Sequence, residues 1–485
     1  MGVPSERIEC LSARPINPEG AYVLVWMVCA RRASWSWMLQ YARERAEELG
    51  LPLLVLEALR AAYPWASPRF HQFVIDGMRD NQAAMEAAGV AYYPYVEVEP
   101  GEGRGLLESL ARDAAWVVTD YKPGFFQDRM QQAFAARSPC RVDRIDDNGL
   151  LPLEASGRAW PTAHGLRRHL QRVLPDHLST VPDPDPFAGS SLPRLTSLPQ
   201  AATSRWPMLT EERAAASIAR LSGPDVVEGV SGGSVAASGQ WTQFLRGGLR
   251  RYDTDRNLTS SEGTSRLSAA LHFGHISSAQ LVHDLLDAEG WTPSSLAENV
   301  RGSRTGWWGV SPAAEGFLDQ VITWRELGHI FCHHVPDYDR WETLPAWAIN
   351  TLEVHADDPR PEVYTMEELD QAATADPVWN AAQNQLREEG RIHNYLRMLW
   401  GKKVLQWSPH PREALATLIE LNNRYALDGR DPNSYSGIFW CFGRFDRAWG
   451  PERPIFGKVR YMTSENTRRK FKLNPYLARW SEREA

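Results

Sequence analysis

Two stretches of the sequence bring together residue types able to do chemistry. The first reads WNAAQNQLREEGRIHNYLRMLWGKKVLQW over residues 379–407, followed by ELNNRYALDGRDPNSYSGIFW over residues 420–440. Helical spacing puts Arg397 and Trp400, three residues apart, on one face, with Trp407 two turns further on, about 10 Å along the axis. An arginine beside an Asn/Asp-rich turn can neutralise a buried anionic ring system, and indoles in a row leading outward can pass single electrons. Large aromatics also dominate protein cores, and spacing alone favours that plainer role. The second stretch, Gly263-Thr264-Ser265-Arg266-Leu267-Ser268, sets hydroxyls and backbone N–H groups where a helix is expected to begin, an arrangement that attracts phosphate. Ser and Thr are also the usual capping residues, so alone this stretch favours an ordinary cap.

The elements that position these residues fall into two kinds. Residues 22–28 (YVLVWMV) and 51–56 (LPLLVL) are continuous apolar runs of buried-strand type, and residues 92–98 and 115–119 are further strand candidates. A helix is expected from Ser67-Pro68, with Ser67 as cap, Pro68 in the first turn, and Phe70, Phe73, Val74 and Met78 on one face. Alternating strands and helices indicate a doubly wound parallel sheet. No G-x-G-x-x-G follows the first strand, so an ordinary dinucleotide site is not expected. Seven prolines between residues 175 and 207 read as an extended linker, and the Gly/Ser-rich residues 223–239 as a loop. Beyond these, residues 267–273, 317–332, 379–407 and 411–422 read as helices. The expected organisation is an α/β domain over residues 1–174, a linker over 175–207, and an all-α domain over 208–485, as suits a chain of 485 residues.

Bulk properties exclude several classes. With 43% hydrophobic and 23% charged residues the chain is an ordinary globular protein. No uncharged apolar run approaches membrane-spanning length, and the charged N-terminal residues argue against a signal peptide. Five cysteines form no C-x-x-C pair and no metal-ligand spacing, which fits a reduced, cytoplasmic setting and no metal. The net charge of −7 hides an asymmetry: residues 391–485 hold 18 Lys/Arg against 9 Asp/Glu, a balance of +9, leaving −16 for the first 390 residues. The C-terminal portion suits a polyanionic partner. Twelve of the 20 tryptophans lie after Gly290, an unusual supply of wide flat surfaces.

The W-N-A-A-Q block, R-M-x-W-x-K-K, L-D-G-R-D-P-N and F-G-K-V-R-Y-M, together with the earlier S-A-A-L-H-F-G-H-I-S, occur in that family's order and resemble the class II cyclobutane pyrimidine dimer photolyases. The resemblance covers roughly residues 20–480 and is densest after 250. It implies an N-terminal α/β domain, which in this family often houses a deazaflavin or folate antenna, and a helical domain holding FAD. Light-excited, reduced FAD would donate an electron to a pyrimidine dimer in UV-damaged DNA and recover it after the ring splits. The implied roles are these. Tyr252, Thr264, Ser265, Arg266, Leu267 and Ser268 match the positions that hold the FAD phosphates. Asn422 matches the asparagine facing flavin N5, and Arg397 with Asp428 the ion pair beside the ring system. Trp400, Trp379 and Trp407 match the electron relay, in that order outward. Arg256, Asn257, Trp324, Met398 and Trp440 match the lesion pocket, and the basic Arg447, Arg453, Lys458 and Arg460 would bind DNA phosphates.

One position departs from the family pattern. Gln320 stands where the pocket carries a glutamate, one turn before Trp324, and an amide can donate a hydrogen bond but cannot transfer a proton. Asp319 is a partial substitute, pointing about 100° away on the helix. Residues 291–312 look like an insertion relative to the family. These two features keep a rival expectation in view, a cryptochrome-like photoreceptor without repair activity. A flavin oxidoreductase would need a nicotinamide site, for which no motif is found. No obligate protein partner is evident.

Overall fold

The computed structural model describes residues 2–259 and 262–481. By backbone contact the chain divides into two compact units. The first comprises Met1–Gly157, Val173–Thr242 and Leu267–Gly290; the second comprises Arg158–Arg172, Gln243–Arg266 and Trp291–Ala485.

A six-stranded sheet forms the first unit, with strands β1 (Ile8–Ser12), β2 (Tyr22–Met27), β3 (Leu53–Leu59), β4 (Ala91–Val96), β5 (Ala114–Tyr121) and β6 (Val142–Asp146) in the order β1-β6-β5-β2-β3-β4. Every neighbouring pair is parallel except the antiparallel edge pair β1–β6. The apolar run of β2 is really two interleaved faces. Tyr22, Leu24 and Trp26 enter one core layer while Val23, Val25 and Met27 enter the other, as the two-residue side-chain period demands. β3 repeats this with Leu54 and Leu56 against Leu53 and Val55.

Strands β1 and β6 are additional to those expected, because polar residues disguise them. In β6, buried Asp143 accepts from Tyr41 Oη at 2.7 Å and Trp116 Nε1 at 3.0 Å, and buried Arg144 pairs with Glu9 and Asp128. Each buried polar group is matched by a partner, so strand pairing costs little despite the composition.

The Pro68–Ala88 helix begins where expected, but the Ser67 hydroxyl makes no capping bond. The Pro-rich residues 175–207 are not a free linker: Phe187, Ala202 and Trp206 are built into the core layers of the first unit. Their apolar side chains outweigh the extended, proline-set backbone. Of the Gly/Ser-rich stretch, only the part before the Ser234–Gln243 helix is loop. There Val235 N donates to Asp80 Oδ2 at 2.9 Å, which helps to start the helix. The S-A-A-L-H-F-G-H-I-S motif also packs in this unit. Buried His275 accepts from Gly233 N at 2.8 Å, stacks on Phe73 at 5.1 Å, and lies so close to Gly77 that a Cβ there would overlap its ring. Burial pushes this imidazole down to about 3, so it is neutral.

The second unit is helical. Its longer helices are Pro377–Glu389, Asn394–Trp407, Pro411–Tyr425 and Pro432–Cys441, with Pro312–Leu318 and Arg325–His334 joined by a π-helical segment, Asp319–Trp324. No helix among the described residues is long and apolar enough to cross a membrane.

Candidate active site

The expected single segment 379–407 is two helices. Asp376 caps the first by accepting from the backbone N–H of Val378 and Trp379, with Pro377 in the first turn. Gly390 ends it at φ +66°, a conformation that favours glycine. The second helix, Asn394–Trp407, packs on the first and on Pro411–Tyr425 and Pro432–Cys441. That packing brings distant residues to one spot. Arg397 Nη1 reaches both oxygens of Asp428, at 3.1 and 3.2 Å, while Nη2 donates to Asn422 Oδ1 and, at 3.0 Å, to Ser434 Oγ. Asn422 is buried and donates in turn to Ser434 Oγ at 2.8 Å and Asn423 Oδ1 at 3.1 Å. A guanidinium held on three sides cannot swing away, which makes it a fixed positive charge.

The three tryptophans form a continuous path. Trp400 and Trp379 are stacked, with centroids 6.4 Å apart and planes 7° from parallel, and Trp379 meets Trp407 edge-on at 5.7 Å. Trp379 Nε1 donates to the Trp400 carbonyl at 3.1 Å and Trp400 Nε1 to Gln383 Oε1 at 3.0 Å. All three are fully buried, Trp407 at 1% exposure included, so the outer end of the path is covered rather than open. Half-exposed Tyr364 lies edge-on over Trp407 at 5.1 Å.

Tyr252 opens a one-turn helix, Tyr252–Asp255, that packs on Pro312–Leu318; its buried ring meets Phe317 edge-on at 5.4 Å, with Arg256 over it at 5.5 Å. Thr264 and Ser265 precede the Ser268–Phe273 helix, Arg266 sits at φ +56°, and Leu267 holds the cap position, so no hydroxyl caps this helix. The early left-handed turn shifts the helix start past Thr264 and Ser265. His393, just before the Asn394–Trp407 helix, is pushed down to about 4 by burial, which outweighs the opposing effect of the Arg256 backbone beside its ring.

Gln320 and Trp324 lie on the π-helical segment Asp319–Trp324, a wide turn often found at functional sites. Asp319 does not stand in for a pocket carboxylate: its Oδ1 is bound by Arg167 Nε at 2.7 Å, with both side chains buried. Asn257, Gln320, Trp324 and Met398 are half-buried, and no hydrogen bond, ion pair or ring contact links them to one another among the described residues. Trp440 lies under two cations, Lys402 Nζ at 4.8 Å and the Arg460 guanidinium at 5.5 Å. Arg460 and Arg447 also flank Trp449, at 4.1 and 4.5 Å. Arg460 pairs with Asp446 at 2.8 Å and Lys458 with Glu452 at 3.2 Å, whereas Arg453 lies over Tyr461 at 5.2 Å.

No role is assigned to Lys402, Gln383 or Ser434 from the sequence. Gln383 is the last residue of the W-N-A-A-Q block, one turn after Trp379, a spacing that signals a shared face. Lys402 is wholly buried, donating to the Cys441 carbonyl at 2.6 Å, and burial pushes its ammonium down to about 8. A lysine with a lowered native value binds fewer protons folded than unfolded across the gap, so stability rises with pH between about 8 and the ordinary lysine value. Lys402→Met is expected to remove that rise, which thermal melts of the variant and the parent across this pH window would measure. An equal rise in both would show that the ammonium is not desolvated.

No protein-family model matches the chain. Among curated proteins, it is 33% identical over 484 residues to the deoxyribodipyrimidine photo-lyase of Methanothermobacter thermautotrophicus, covering 98% of each chain. The chain belongs to the deoxyribodipyrimidine photo-lyase family. It is also 29% identical over 476 residues to the photo-lyase of Arabidopsis thaliana, covering 96% of this chain and 90% of that one. Among solved structures, the crystal structure of a bacterial class III photolyase from Agrobacterium tumefaciens matches with a TM-score of 0.68 at 18% identity, over 95% of this chain and 86% of that one. That likeness concerns the photolyase fold alone.

Proposed function

We propose that the chain is a class II photolyase that repairs cyclobutane pyrimidine dimers in UV-damaged DNA, using bound FAD and light. The single observation that carries this reading is the juxtaposition on one helix of a fixed guanidinium, Arg397, and the inner end of a stacked tryptophan path, Trp400. The donor set fits an electron-rich isoalloxazine: Arg397, oriented by Asp428 and Asn422, supplies the countercharge, and the buried His393 ring supplies further hydrogen-bonding capacity. Tyr252, Thr264 and Ser265 would hold the phosphates. FAD, when bound and reduced, supplies the light-driven single electron. The chain's own residues do the rest. Trp400, Trp379 and Trp407 pass electrons inward to recharge the cofactor, Asn422 fixes an amide near it, and the dry helical surroundings exclude water.

The dimer must leave the base stack to be reached, as in photolyases generally, and weak stacking at a lesion eases that step. Arg256, Asn257, Trp324, Met398 and Trp440 would receive it, with Gln320 donating its amide N–H to a pyrimidine carbonyl. An amide in place of a carboxyl group leaves proton transfer out of this contact. The relatives favour repair over a sensor role. A deazaflavin or folate antenna in the first unit is compatible with the family but not specified by any motif.

The decisive experiment is illumination of purified, reduced protein with an oligonucleotide containing one thymine dimer. Loss of the dimer only in the light is expected; flavin-loaded protein that never restores the strand would defeat the proposal. Reversing Lys458 and Arg460 together to Glu should weaken binding to damaged and undamaged duplex alike, because two half-exposed positive charges become negative where phosphate would lie. Titration of binding against salt would check it, and an unchanged salt slope would count against the assignment.

A further inference from the structure

The insertion at residues 291–312 is an ordered structure rather than a slack loop. Trp291 Nε1 donates to the Trp308 carbonyl at 2.8 Å and Ala297 N to the Trp307 carbonyl at 2.9 Å. The buried carboxylate of Glu315 accepts from three successive backbone N–H groups, those of Gly306, Trp307 and Trp308, at 2.7 to 3.1 Å. Trp307 and Trp308 are themselves buried. At its middle the loop is seated on the Ala163–His177 helix. Gly302 N donates to Gln171 Oε1 at 2.8 Å, Gln171 Nε2 donates to the Ser303 carbonyl at 3.0 Å, and Arg167 Nη1 donates to the Gly302 carbonyl at 3.3 Å. Gly302 lies against His164 and Arg168, where a Cβ would come within 3.0 Å of each side chain.

This seating gathers positive charge. Residues 158–172 hold four arginines and no carboxylate. Arg168 and Arg172 are one turn apart on one helix face, about 6 Å along the axis. Arg301 and Arg304 flank the seated Gly302. All four are exposed, and none forms an ion pair among the described residues. Elsewhere in this unit exposed arginines are commonly matched by carboxylates, as in Arg412 with Glu342 and Arg469 with Glu465. The group lies within the first 390 residues, whose balance is −16.

The group is also tied to the proposed lesion pocket. Arg167, on the same helix, clamps Asp319, the residue next to Gln320.

We propose that Arg168, Arg172, Arg301 and Arg304 form a second contact surface for duplex DNA, binding the phosphate backbone beside the pocket. The partner is the sugar-phosphate backbone, read without regard to sequence, because what the four side chains offer is arginine charge. The inference rests on the repair reading above, since it needs a DNA substrate.

The test is dark binding of fluorescent duplexes, damaged and undamaged, to flavin-loaded protein from 50 to 200 mM salt. The triple variant Arg168→Gln, Arg301→Gln, Arg304→Gln should lower the salt slope by roughly one for each phosphate no longer neutralised, and weaken binding to both duplexes by about tenfold at the midpoint. Arg-to-Lys replacement at the same positions should restore most of the slope. If the triple variant does not fold, Arg304→Glu alone, at an exposed loop position, should reduce the slope to a smaller extent. Slope and affinity equal to the parent in the triple variant, or in Arg304→Glu, would overturn the surface while leaving repair intact. So would arginine-dependent binding to phosphatidylserine vesicles with no change toward DNA. Failure of the parent to bind either duplex would remove the repair reading and this surface together.

Discussion

Replacing Trp400 by phenylalanine is expected to abolish light-driven reduction of bound flavin, while chemically reduced protein still repairs dimers. Trp400 is the member of the path that shares a helix face with Arg397, and it stacks on Trp379 at 6.4 Å. A phenyl ring is much harder to oxidise than an indole, so the substitution interrupts electron supply at its inner end. The fold should survive. Loss of ring volume in a buried site costs about 1 to 3 kcal/mol, and the orphaned Gln383 amide oxygen adds roughly 1 kcal/mol. Illumination of oxidised protein with an external reductant, followed by its absorption spectrum, checks the first half; repair by dithionite-reduced protein checks the second. Normal photoreduction in the variant would overturn the relay assignment, and loss of both activities would point to structural collapse.

Replacing Arg167 by leucine is expected to destabilise the second unit by about 3 to 5 kcal/mol, the usual cost of leaving one member of a buried ion pair without its partner. Arg167 and Asp319 are 9% and 7% exposed, so neither charge has water to fall back on. Exchanging Asp319 for asparagine as well should recover much of the loss, because the uncompensated carboxylate is gone. Denaturant melts of the parent, both single variants and the double variant form a cycle that isolates the pair. A single-variant cost below about 1 kcal/mol would mean the pair is effectively solvated. Because Asp319 starts the π-helical turn carrying Gln320 and Trp324, repair by the single variant should fall more than its melting behaviour alone would explain.

Legibility differs sharply between kinds of residue. Strands β2 to β5 are readable because their burial on both faces leaves unbroken apolar runs. β1 and β6 are not, because Asp143 and Arg144 look like loop residues until their partners Tyr41, Trp116, Glu9 and Asp128 are brought across from remote positions. Phe187, Ala202 and Trp206 are hidden in the same way by the prolines around them. At the site, helical spacing puts Arg397 and Trp400 on one face, and the meeting of Arg397 with Asp428 is implied by family resemblance. Lys402 and Arg167 are invisible in the sequence, since a buried charge is recognisable only once the tertiary fold shows what pairs with it. Residues 291–312 stand out in the sequence only as extra length against the expected family pattern; their order depends on the Glu315 carboxylate and the Gln171 amide, neither of which has a local signature.

The hydrogen bonds of the two stacked indoles have a consequence for what travels along the path. An oxidised indole is a strong acid at its ring N–H, yet the groups that accept from Trp379 and Trp400 are a peptide carbonyl and a side-chain amide oxygen, neither basic enough to take the proton. Positive charge can therefore hop between these rings without the hydrogen following it. In the proposed relay each step is then reversible, and loss of the proton waits for the outer end.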